Sequence, residues 1–203
     1  KMNFFFFLFG GKGKKVSEED QSETSPYMTT PNLPVDEQFT FNFKKNGGKF
    51  LYCENMEEVY EHFENILVEN DWFETNVVCF EENLYKILNE NKLIYQDVVE
   101  ATFSFSSCES LIADDGSILF SSNQFKHLKP NMIPDNMIVF AFTSQLRPEK
   151  GEGMSEIKRK YSGNLPTNIT TLKNFEPSKK QDNDFLNYGS ITKNLYLLLL
   201  EDL

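Results

Sequence analysis

Asp114, Asp115, Gly116 and Ser117 put two carboxylates, a glycine and a hydroxyl into four consecutive positions. In a turn, such a run gathers polar side chains and backbone N–H groups at a sheet edge. Gly116 would allow the positive φ and close approach that a bound group needs. Set between a short helix and a strand, the run could cradle a carboxylate or a phosphate. The same residue types also cap and turn chains that bind nothing, so both readings stand on these four residues alone.

Other chemistry is sparse. His62 falls on the acidic side of a helical pattern with no second His or Cys at i+3 or i+4, which makes it a surface residue and not a metal ligand. His127 reads as a loop residue. Cys53, Cys79 and Cys108 are odd in number and widely spaced, which fits neither a disulfide framework nor the close spacing of zinc or iron–sulfur ligation. They read as small buried hydrophobes in a reducing cytosol. Phosphate loops, dinucleotide glycine fingerprints and nucleophile elbows are absent, and no metal or cofactor is called for.

Acidic residues outnumber basic ones 31 to 20, giving a net charge of -11 that repels nucleic-acid backbones. The run from Phe4 to Phe9 is far shorter than the roughly 20 residues a membrane span requires, so no transmembrane segment is expected. Residues 1–34 read as a flexible N-terminal segment carrying that aromatic run, because Gly, Lys, Ser, Glu, Thr and Pro dominate from Gly10 to Pro34. Residues 35–203 read as one folded, cytoplasmic domain, a length sufficient for a single core.

The elements that must position the polar run follow from hydrophobic periodicity. Phe39, Phe41 and Phe43 alternate with polar residues as a half-buried strand would, and Asn46-Gly47-Gly48 predicts a turn before Phe50-Leu51-Tyr52-Cys53. After Asn55, apolar residues from Met56 to Leu67 recur at helical spacing opposite an acidic face. Val77 to Phe80, then Leu84 to Leu88, then Leu93 to Tyr95 give a strand, helix, strand rhythm. Further apolar segments begin at Ala101, Cys108, Ser117, Met137, Ile169 and Leu195, with a helix near Ser155–Tyr161. This alternation predicts a three-layer α/β/α fold on a mostly parallel sheet.

Ile112-Ala113-Asp114-Asp115-Gly116-Ser117-Ile118-Leu119, then Ile133-Pro134-Asp135-Asn136-Met137-Ile138-Val139, then Asn164-Leu165-Pro166, resemble successive landmarks of the LUD domain of the LutC/YkgG lactate-utilisation family. Phe175-Glu176-Pro177-Ser178 stands where that family has Gly-Pro-Ser. Asn187-Tyr188-Gly189-Ser190-Ile191-Thr192 stands near its Gly-Val-His-Gly-Pro segment. The resemblance covers roughly Thr102 to the C-terminus. It implies a fold like that of the ribose-phosphate isomerase and CoA-transferase group, with a ligand near the C-terminal ends of the parallel strands. It also implies candidate ligand-binding positions Asp114, Asp115, Gly116, Ser117, Pro134, Pro177, Ser178 and Gly189. The implied role is an accessory subunit that holds no cluster, acting beside iron–sulfur proteins of lactate oxidation or binding a small carboxylate or phosphate; a homo-oligomer is compatible with it. Met137 and Ile191 stand where the family has histidines, Asp115 replaces a Thr and Glu176 a Gly, so family proton transfer is not reproduced residue for residue. The alternative is a catalytically degenerate scaffold or interaction module without turnover.

Overall fold

The structure, a computed structural model, describes residues 33–95, 101–129, 132–175 and 193–202. Among them a five-stranded sheet runs in the order β1-β9-β6-β3-β2, every neighbouring pair parallel. Its strands are β1 (Lys49–Cys53), β2 (Val77–Val78), β3 (Phe103–Ser106), β6 (Asn136–Phe142) and β9 (Asn194–Leu200). The α/β arrangement on a mostly parallel sheet is therefore present.

Helix α2 (Met56–Asn70) forms where the periodicity places it. Asn55 caps it by accepting from the Glu58 amide at 3.0 Å, and Glu58 returns the contact by accepting from the Glu54 amide. Its apolar stripe of Val59, Phe63, Ile66 and Leu67 packs with Ile87 and Leu88 of α3 (Tyr85–Glu90) over Phe103, Phe105, Ile138, Tyr196 and Leu198. Thus α2 and α3 cover one face of the parallel sheet. The expected strand at Leu93–Tyr95 shrinks to a single parallel bridge between Ile94 and Asn76, beside β2.

Two expectations are corrected. Phe39, Phe41 and Phe43 lie on a helix, α1 (Val35–Lys45), and not on a strand. Residues four apart share a helix face whereas those two apart do not. Accordingly Phe39 and Phe43 are fully buried and stack at 5.3 Å, while Phe41 is 62% exposed. Acidic Asp36 and Glu37 in the first turn and basic Lys44 and Lys45 in the last suit the helix dipole. Second, the Asp114–Ser117 run does not follow a helix. It joins β4 (Ser110–Ile112) to β5 (Ser117–Phe120) in an antiparallel hairpin.

That hairpin belongs to a second sheet, ordered β7-β4-β5-β8, with β7 (Leu146–Arg147) and β8 (Thr170–Leu172) at its edges. Helix α5 (Lys150–Lys160) packs Ile157 against Ile112 and Leu119. Leu111, Ile118 and Phe120, on the opposite face by alternation, are equally buried. None of the second sheet's residues joins the cluster under α2 and α3. The second sheet thus has packing of its own, and α1 packs on both β1 and β7. Among the described residues no helix is long and apolar enough to cross a membrane.

Candidate functional site

Strands β2 and β3 are parallel neighbours; β2 leads to α3 and β3 leads into the second sheet. In open α/β sheets the usual place for a ligand is the crevice beyond the carboxyl ends of the strands. Glu81, three residues past β2, and Ser107, directly after β3, meet across it. The Ser107 amide donates to Glu81 Oε2 at 2.6 Å and the Ser107 hydroxyl donates to Oε1 at 2.5 Å. Burial pushes the Glu81 carboxyl above its ordinary range, with neighbouring Glu109 adding to it, although the Ser107 bonds and Lys126 pull the other way.

Glu109 sits one turn of chain further on, and its side chain is only 1% exposed. It accepts from Ser121 Oγ at 2.6 Å, Asn123 Nδ2 at 3.1 Å and Tyr161 OH at 3.1 Å, and pairs with Lys160 Nζ at 3.5 Å. Burial pushes its carboxyl up, but these donors, Ser121 first and then Lys160, outweigh burial and leave it below the usual range. Two nearby carboxylates are thus driven in opposite directions by their surroundings, a pattern typical of sites that handle protons or charge. Ser121 is the N-cap of α4 (Ser122–Phe125), and a capping box with Gln124 fixes it. Directly after α4, Lys126 adopts φ 53° and ψ -119°, a conformation natural to glycine and strained for any other residue. Its side chain is exposed, and its positive charge is a minor influence on the Glu81 carboxyl.

The turn predicted from sequence is placed elsewhere, against α1. Gly116 has φ 67°, and a Cβ there would lie 2.4 Å from the Asn42 carbonyl carbon and the Phe43 nitrogen. Asn42 Nδ2 donates to the carbonyls of Ala113 (2.8 Å) and Asp114 (3.1 Å), and Asn46 Nδ2 donates to that of Asp115 (2.7 Å). Asp115 Oδ1 accepts from both the amide and the hydroxyl of Ser117 and its Oδ2 faces Lys173 Nζ at 3.7 Å, while Asp114 carries an exposed carboxylate. Pro134 is half-buried at the N-terminal end of β6, between Ile133, whose carbonyl accepts from buried Lys193 Nζ at 2.6 Å, and Asp135. It stands at the end of the parallel sheet opposite the β2/β3 crevice. Pro177, Ser178 and Gly189 lie outside the described residues. Met137, at the position of a family histidine, is fully buried in β6.

The LUD domain family model matches residues 37–200. The chain belongs to the LUD domain family. Its fold is similar to that of a solved DUF162 family protein from Deinococcus radiodurans, at a TM-score of 0.59 and 12% identity over 83% of this chain and 96% of the other. No curated protein matches it. Within this LUD domain, sequence reasoning found the β4–β5 turn but missed Glu81, Ser107, Glu109 and Lys126. Glu81 and Ser107 are 26 positions apart and carry no motif, and only the pairing of β2 with β3 brings them together.

Proposed function

We propose that this LUD-domain chain is an accessory protein of the lactate-utilisation type, which binds a small carboxylate or phosphate and holds no iron–sulfur cluster itself. The observation that carries the reading is the Glu81–Ser107 pair beyond the carboxyl ends of β2 and β3. It sits where open α/β sheets bind ligands, and it has hydrogen-bond donors suited to an anion. The β4–β5 turn, through Asp114, Asp115, Gly116 and Ser117, is the second candidate surface. Its polar groups are largely engaged with one another and with α1, as the Ser107 donors are with Glu81, and the crevice ranks first for its place at the carboxyl ends of the parallel strands.

The cysteines support the absence of a cluster. Cys53 ends β1 and Cys79 follows β2, at opposite edges of five parallel strands and therefore about 19 Å apart at the usual strand spacing. Such a separation is too wide for ligands of one cluster. The partners proposed are the iron–sulfur proteins of lactate oxidation.

A ligand that binds only the folded state raises the melting temperature. Lactate, pyruvate, other hydroxy acids and sugar phosphates are to be compared on the wild type, Ser107→Ala and an Asp114→Ala/Ser117→Ala double variant. A shift lost in Ser107→Ala and kept in the double variant is expected. The reverse would move the site to the turn. No shift with any compound would leave a scaffold that recognises partners and no small ligand.

A further inference from the structure

Glu81 is a carboxylate already held by the donors of the crevice, and its geometry describes what those donors accept. Its two oxygens are bound separately, Oε2 by the Ser107 amide at 2.6 Å and Oε1 by the Ser107 hydroxyl at 2.5 Å. One residue thus offers a two-point grip matched to the bite of a carboxylate, at the carboxyl end of a parallel strand. We propose that Glu81 is a built-in occupant of the carboxylate subsite, and that a small monocarboxylate binds by displacing it from Ser107. This rests on the reading of the chain as a small-anion binder, and adds to it a ligand class, a donor pair and a self-competing side chain.

Glu81 is suited to leaving. It is half-buried rather than enclosed, and it belongs to the connection after β2 rather than to a strand, so its side chain can swing away without breaking the sheet ladder. Glu109 provides the contrast: its carboxylate is enclosed and bound by groups from α4, α5 and the loop between them and their neighbouring strands, and nothing would release it. The charged groups facing Glu81 are Glu109 after β3 and Lys126 after α4. Removing Glu81's negative charge relieves a repulsion on an arriving anion, and removing its carboxyl altogether, as in Glu81→Ala, also frees both Ser107 donors, so each change strengthens binding.

The test is calorimetric titration of the full chain with sodium acetate and sodium L-lactate at constant ionic strength. Wild type, Glu81→Gln, Glu81→Ala and Ser107→Ala are compared, with folding checked by circular dichroism. Glu81→Gln and Glu81→Ala are expected to bind at least about tenfold more tightly than wild type, and Ser107→Ala to lose binding. Folded Glu81 variants with equal or weaker affinity would overturn the displacement while leaving the anion-binding reading intact. Absence of binding in every folded protein would overturn both. Should the Glu81 variants fail to fold, the wild type is titrated with acetate while the Glu81 side-chain carboxyl ¹³C resonance is followed. Movement at saturation supports displacement, and a stationary resonance at demonstrated saturation rejects it.

Discussion

Gly116 is a residue at which two constraints coincide. Its φ of 67° disfavours any side chain, and a Cβ would press 2.4 Å from the backbone of α1. Left-handed strain of roughly 1–2 kcal/mol and overpacking of roughly 1–3 kcal/mol predict that Gly116→Ala destabilises the fold by about 2–5 kcal/mol, read from urea unfolding midpoints. The two crevice carboxylates make opposite contributions to acid stability. Glu109, lowered in the folded state by Ser121 and Lys160 despite its burial, contributes stability that is present above its unfolded value near 4.5 and is lost as pH falls through its folded value. Glu81, raised chiefly by burial, contributes stability that is full below about 4.5 and is lost as pH rises through its higher folded value. Glu109→Gln should therefore flatten the loss of stability on acidification, whereas Glu81→Gln should steepen it. Urea midpoints between about pH 3 and 7 check both slopes.

Helix α4 and the residue that ends it carry the next prediction. Lys126 holds a backbone geometry that glycine adopts freely, at a cost of order 1–3 kcal/mol. Lys126→Gly should gain stability, by about 1 kcal/mol once the extra freedom of glycine in the unfolded chain is subtracted, and should lose anion affinity. A variant stabilised in urea yet insensitive to lactate in a melting assay would show strain retained for binding. At this same scale the sequence was legible wherever burial was one-sided or strands were long. The stripe of α2 and the runs of β6 and β9 state their period or their full burial directly. Helix α1 was misread because three alternating phenylalanines satisfy a two-residue period, and the Phe39/Phe43 pair with its flanking charges was the signal for a helix. The second sheet was hidden for another reason: its strands have two to four residues, and Ser110–Ile112 and Ser117–Phe120 are buried at every position, so no alternation is written into them. The Asp114–Ser117 turn was visible because local turn chemistry is local. The Glu81–Ser107 pair was not, because strand pairing creates it.

Across the whole molecule two differently built parts meet: the parallel sheet under α2 and α3, and the second sheet with α5, with α1 packed on both β1 and β7. The same architecture controls the cysteines. All three follow or end parallel strands, at the same end of the sheet as the crevice, yet all are buried. Burial pushes the Cys53 and Cys79 thiols up to about 12, and raises Cys108 as well, with nearby glutamates adding to each effect. A thiol so held is a poor nucleophile at neutral pH, because attack requires the thiolate. Iodoacetamide at mildly alkaline pH should therefore modify the native protein far more slowly than free cysteine, with all three sites reacting together once the fold is unfolded in guanidinium. Mass spectrometry of alkylated peptides reads this directly. Rapid, selective labelling of Cys79 or Cys108 in the native state would mean that the β2/β3 end opens to solvent on its own. The crevice would then be a mobile region, and the grip of Ser107 on a carboxylate could not be preorganised by the sheet.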